Sequence, residues 1–248
     1  MKTKPLTPLT LLTLLAAASS SVSAANYTGG HADIGVALEG GTDFHLHFHA
    51  HENAVIDGVS LLVDEEFVAG AITITVPNSV STVLGTGIPA TGVDAGESIW
   101  ILPQSNPNTG TIPFLGMGTE ELTASDWSGG ITFTLGAVTS PSGSGDFSLW
   151  QSTGIGGLDF YFSTADESLS MNGNNTLIAA AGGHDHYNFG FSETGVWAVE
   201  LTVSGDHTTL GALSDTQTFE FSVVPEPSSA ALLFGLAATG FIVRRRRA

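Results

Sequence analysis

Phe44-His45-Leu46-His47-Phe48-His49-Ala50-His51 alternates strictly between apolar residues and histidine. A β-strand turns successive side chains to opposite faces, so the stretch reads as a strand with Phe44, Leu46, Phe48 and Ala50 on its core face. His45, His47, His49 and His51 then share the other face, with neighbours about 6.5–7 Å apart. The same alternation recurs at residues 72–76, 131–135, 158–162, 197–203 and 219–223. Clusters of Gly, Pro, Asn and Ser punctuate it, as at residues 103–110 and 140–145. No window of a dozen residues between the two ends carries a helical period. The expected fold is all-β: an antiparallel β-sandwich of jelly-roll or immunoglobulin-like type, as one domain over residues 26–223.

The 248 residues include 24 acidic side chains against six Lys and Arg, a formal charge of −18. Lys2 and Lys4 stand at the start and Arg244 to Arg247 at the end; every residue between is neither Lys nor Arg. Binding to nucleic acid or docking on an anionic leaflet needs cations that the body lacks. A phosphate-binding P-loop needs a Lys that is equally missing. With no cysteine there is no disulfide, thiolate metal site or thiol nucleophile. Hydrophobic residues at 42%, with 14 Phe, suffice for a core, so the acidity is not that of a disordered tail.

Both ends read as addresses. Lys2 and Lys4, an apolar run over residues 9–18 and small residues to Ala25 form the three parts of a signal peptide over residues 1–25. Residues 224–248 hold Pro225-Glu226-Pro227, an apolar stretch over residues 228–243 and Arg244, Arg245, Arg246 and Arg247. The apolar stretch is expected to be a helix, transiently anchored with its Arg cluster in the cytoplasm. This segment resembles the PEP-CTERM sorting signal. That resemblance implies export across the inner membrane, processing by an exosortase-type enzyme, and delivery to the cell surface or an exopolysaccharide matrix.

A His-x-His pair on one strand face can lean onto one ion, with Zn–N bonds of about 2.0–2.1 Å. The row from His45 to His51 supplies such pairs, and His184-Asp185-His186 supplies another. His31 with Asp33 adds a third pair of like spacing. Neutral imidazole suits zinc, copper, nickel and iron, whereas calcium and magnesium prefer oxygen, and binding should fall as pH drops through about 6. A solvated row of histidines would merely titrate. His207 reads as a loop residue, and Asp64-Glu65-Glu66 as a solvated turn rather than a calcium site.

Two stretches carry a further likeness. Gly30-His31-Ala32-Asp33-Ile34-Gly35-Val36 and the run from Gly182-Gly183-His184-Asp185-His186-Tyr187-Asn188 to Trp197 resemble the choice-of-anchor M, or surface-anchored protein, family. Phe189 stands where that family usually has Trp, and Thr194 where Pro is frequent. Segments at residues 100–104, 113–116 and 141–147 add to the likeness. Together with the histidine strand and the tail, the chain is similar to a zinc-repressor-regulated PEP-CTERM subfamily. The resemblance implies zinc capture or homeostasis outside the membrane, alongside a zinc import system. His31, Asp33, His184 and His186 lie on the family's motifs, and a hairpin at Gly40-Gly41 would bring the histidine row beside His31, so the expected metal site joins His31, His184 and His186 with one of His45, His47 or His49. Asp33 and Asp185 are expected behind them, orienting imidazoles as such carboxylates usually do. Asn188 is expected to hold a loop. Two alternatives remain: a secreted metalloenzyme on the same histidines, and a structural matrix protein binding exopolysaccharide through Trp100, Trp127 and Trp150.

Overall fold

A computed structural model describes residues 24–154 and 156–225. The proposed signal peptide, apart from Ala24 and Ala25, the apolar helix, and the sorting residues Glu226, Pro227 and Arg244 to Arg247 lie outside them. The described residues are mostly strand. In chain order they run β1 (Ala25–Glu39), β2 (Asp43–Ala50), β3 (Val55–Ile56), β4 (Val59–Ser60), β5 (Glu65–Val68) and β6 (Ile72–Val76). Next come β7 (Ser81–Val83), β8 (Ser98–Leu102), β9 (Pro113–Gly118), β10 (Ile131–Thr139), β11 (Phe147–Ser152) and β12 (Leu158–Ser163). The last are β13 (Thr176–Ala179), β14 (His184–His186), β15 (Asn188–Phe191), β16 (Gly195–His207) and β17 (Gly211–Val223). All five alternating stretches fall on strands. Among the described residues no helix is long and apolar enough to cross a membrane.

Two sheets form. One has 12 strands, with the path β13-β10-β16-β17-β6-β1-β2-β5 and β3, β4, β9 and β14 off it; the other has five, β12-β11-β15-β8-β7. The five-stranded sheet packs onto the larger one through aromatic rings. Phe221 of β17 meets Phe191, Phe189 and Phe147 at centroid distances of 5.1, 6.1 and 6.4 Å. Phe44, Leu46, Phe48 and Ala50 all enter this core, as alternation requires. The sandwich is thus as expected, but the large sheet is mixed rather than antiparallel.

The reason lies in β1, which is long enough to serve two sets of neighbours. Ala25 to Tyr27 run parallel to β6, and Gly30 to Gly35 run parallel to β9. The change of partner falls at Gly30, whose φ is +81°. A Cβ there would lie 2.4 Å from the Asn53 carbonyl oxygen, so both the conformation and the close approach call for glycine. β17 also runs parallel to β6.

Trp127 and Trp150 are buried, and Trp100 is half-buried with its indole N–H donating to Asn78 Oδ1 at 3.3 Å. They pack the fold rather than forming an exposed aromatic platform. Asn188, the first residue of β15, holds the loop after β8 through Gln104, its Nδ2 donating to Gln104 Oε1 at 2.8 Å and the Gln104 N–H donating to Asn188 Oδ1 at 3.1 Å.

Candidate metal centre

The strands β14, β9, β1, β2 and β5 lie side by side. Their register sets His186, Gly116, Asp33, His49 and Glu66 in one row across the sheet. The next row holds His184, Gly118, Gly35, His47 and Val68. Histidines thus line both sides of a floor that is partly glycine. A Cβ on Gly116 would lie 2.0 Å from Asp33 Oδ1 and 3.1 Å from His186 Cε1. The missing side chains are what let Asp33 and His186 approach each other.

His31, His184 and His186 converge, each offering a ring nitrogen within 4.8 Å of the others'. Tetrahedral zinc with bonds of about 2.0–2.1 Å spaces its ligands about 3.3 Å apart, so the rings would close inward on an ion. His186 is held by stacking on Phe114, centroids 3.5 Å apart and planes 9° apart. His184 Nδ1 lies 2.6 Å from Glu120 Oε2, a carboxylate that can fix its orientation. His31 Nε2, His186 Nδ1 and Asp33 Oδ1 are buried without a hydrogen-bond partner. Buried polar atoms rarely go unsatisfied, and nitrogen lone pairs aimed into one space suit a borderline divalent cation.

The hairpin at Gly40-Gly41 forms as anticipated, but its register pairs Asp33 with His49 and Gly35 with His47. His51, one residue past the strand, therefore comes to His31, stacked at 4.0 Å. Asp33 and His51 share a short hydrogen bond, 2.7 Å between Oδ2 and Nε2. The residue nearest the triad from the histidine row is thus His51 rather than His45, His47 or His49. His45 turns its Nδ1 toward the Asp43 carbonyl of its own strand, at 3.4 Å. Period-two alternation sends Asp185 to the face opposite His184 and His186. There it accepts from the His186 backbone N–H at 2.9 Å and lines a cleft of about 300 Å³ with Tyr161, Tyr187 and His184.

Four carboxylates join the histidines without having been anticipated. Glu120 and Glu121 follow β9, Asp64 precedes β5, and Glu66 lies on it. Glu121 Oε1 lies 3.0 Å from His49 Nδ1 and 2.9 Å from His47 Nε2. Asp64 Oδ2 lies 3.7 and 3.8 Å from His51 and His49. The expected solvated turn at Asp64-Glu65-Glu66 is corrected in part: two of its acids face the histidines. His207 ends β16 and packs edge-on against Trp127 at 5.2 Å.

Burial, reinforced by the neighbouring His51, His186 and His184, pushes the His31 pKa down to about 4 against the pull of Asp33. Burial also lowers His186. Hydrogen bonds to Glu121 and Asp33 raise His49 and His51 respectively. Burial opposes ionisation of Asp33, but the bond from His51 and the fields of His31, His184 and His186 hold its carboxyl below its ordinary value. Because His31 and His186 are held neutral, their share of folding stability is present above about pH 6.5 and is lost as pH falls toward the folded values. His49 and His51 act in the opposite sense: their share is full below about pH 6.5 and is lost as pH rises through their folded values. In metal-free protein, imidazole nitrogen NMR should find His31 neutral at about pH 5 and His49 and His51 still protonated at about pH 6.5. The opposite order would contradict these pairings. His31 is therefore free of its proton further below pH 6 than the sequence suggested, and His186 is shifted in the same direction.

A family model described as the PEP-CTERM protein-sorting motif matches residues 223–247. No curated protein and no solved structure matches the chain significantly. The motif implies an exported protein that an exosortase-type enzyme sorts to the cell surface.

Proposed function

We propose that the exported body is a metal-binding protein that takes zinc through His31, His184 and His186 and serves zinc capture or homeostasis outside the membrane. The observation that carries this reading is the triad itself: three imidazoles from opposite ends of the body, with ring nitrogens of His31 and His186 buried and unpartnered. Three nitrogen donors suit zinc better than the calcium and magnesium abundant outside cells, which prefer oxygen. The two stretches that resemble the choice-of-anchor M family are those that supply the triad, which supports the same reading.

The test is a zinc titration of the full chain after stripping with a chelator. Wild-type protein should bind zinc more tightly than micromolar, and His184→Ala with His186→Ala should weaken that by at least about 100-fold. Unchanged affinity in the double variant, with a native circular dichroism spectrum, would rule the triad out.

A catalytic use of the same triad has one observation in its favour. The cleft lined by Tyr161, Ile178, His184, Asp185 and Tyr187 opens beside a ligand and would admit a small molecule.

A further inference from the structure

We infer that the same sheet carries a second divalent-metal site, formed by His47 and His49 of β2, Glu66 of β5 and Glu121 beyond β9. Each of these four residues offers one donor atom, and the four atoms lie within 4.8 Å of one another. Adjacent strands create the grouping, since His49 pairs directly with Glu66 and His47 lies two residues along the same face.

An acidic cluster would mean little without His47. That side chain is 2% exposed, yet neither ring nitrogen has a hydrogen-bond partner. Glu121 Oε1 comes within 2.9 Å of His47 Nε2, but off the direction a hydrogen bond needs. The same oxygen reaches His49 Nδ1 at 3.0 Å. One carboxylate oxygen drawn between two imidazoles, with His47 and His49 Nε2 left unsatisfied, is a set of lone pairs turned toward a common centre. A cation there would satisfy at once groups that are costly to leave buried and bare. Gly35 makes room for it: a Cβ at that position would lie 3.1 Å from His47 Nε2.

Two imidazoles and two carboxylates make a harder donor set than the triad. It suits zinc but also the manganese and ferrous class of first-row ion. The site goes beyond the proposed function and shares no ligand with the triad. Between the two groups stands His51, stacked on His31 at 4.0 Å and on His49 at 4.6 Å.

The test is equilibrium dialysis of the metal-stripped full chain against zinc chloride near neutral pH, with bound zinc measured by mass spectrometry. Wild-type protein should hold two ions, and His47→Gln with Glu121→Gln should hold one. His184→Gln with His186→Gln should also hold one. If wild type holds a single ion, or if the His47/Glu121 variant keeps two, the second site is overturned. If the His47/Glu121 variant loses one ion and the His184/His186 variant keeps both, the second site stands and the triad reading fails. Should the buried His47 change prevent folding, Glu66→Gln on the exposed edge strand decides. It should weaken the second ion by about tenfold or more, and an unchanged affinity overturns the proposal.

Discussion

Gly116→Ala should cost the protein about 2–3 kcal/mol and weaken zinc at the triad by about 10–100-fold. The added methyl would fall 2.0 Å from Asp33 Oδ1, 3.0 Å from the Asp185 carbonyl oxygen and 3.1 Å from His186 Cε1. Of these, only Asp33 can move readily, and it is 1% exposed with its other oxygen bound to His51. Displacing it breaks a buried charge-assisted contact and releases His51 from its place against His31. The Asp185 carbonyl belongs to strand backbone, and the His186 ring is held against Phe114. Gly118→Ala is the control in the adjacent row: its nearest neighbour, Asp33 Cβ, would lie 3.2 Å away, so a smaller loss is expected. Urea denaturation and competition with a zinc-binding dye measure both effects. A Gly116→Ala protein with wild-type stability and affinity would mean that the floor of the site is not as close as described.

The second large effect belongs to the interface between the sheets. Phe221→Ala should destabilise the fold by about 3–5 kcal/mol, the range for truncating a large buried aromatic. Phe221 is 1% exposed, is paired in register with Trp197 and Ile74, and meets three phenylalanines of the five-stranded sheet. The cavity would be lined from both sheets, whose backbones are tied into separate ladders and so collapse poorly around it. Ile178→Ala, at a position 62% exposed, should change stability by less than about 0.5 kcal/mol. A loss below about 1 kcal/mol for Phe221→Ala would show that the two sheets do not depend on this packing.

The faces of β2 were legible because period-two alternation is local: Phe48 and Leu46 enter the core as soon as the strand forms. The neighbours of β2 were not. Gly40-Gly41 announces a hairpin, but the eight-pair register that follows decides which histidine meets His31, and no single residue announces that register. Glu120 and Glu121 were invisible for a related reason. They reach the histidines only because β9 lies parallel to β1, a contact between distant segments that leaves no local pattern. Asp64 and Glu66 resembled an ordinary charged turn, and only the pairing of β5 with β2 gives them partners. His184 and His186 stood out through their spacing, whereas Asp185 between them was expected behind the imidazoles by analogy with other metal sites, and alternation puts it on the other face. The C-terminal address needed no fold at all, since its proline, apolar and arginine parts follow one another in the chain.

The pairing of β1 with β9 would also make an ion held at the proposed triad a gauge of correct assembly. Side chains on a strand alternate, so a slip of β1 by one residue against β9 would turn His31 and Asp33 inward and present Ala32 and Ile34 to the site. Main-chain bonding would survive such an error nearly intact, and a circular dichroism spectrum would hardly register it. The triad would be gone. If the triad takes zinc as proposed, metal retained per molecule would count chains whose first strand has found its proper partner, and distinguish them from near-native impostors that spectroscopy of the backbone passes as sound.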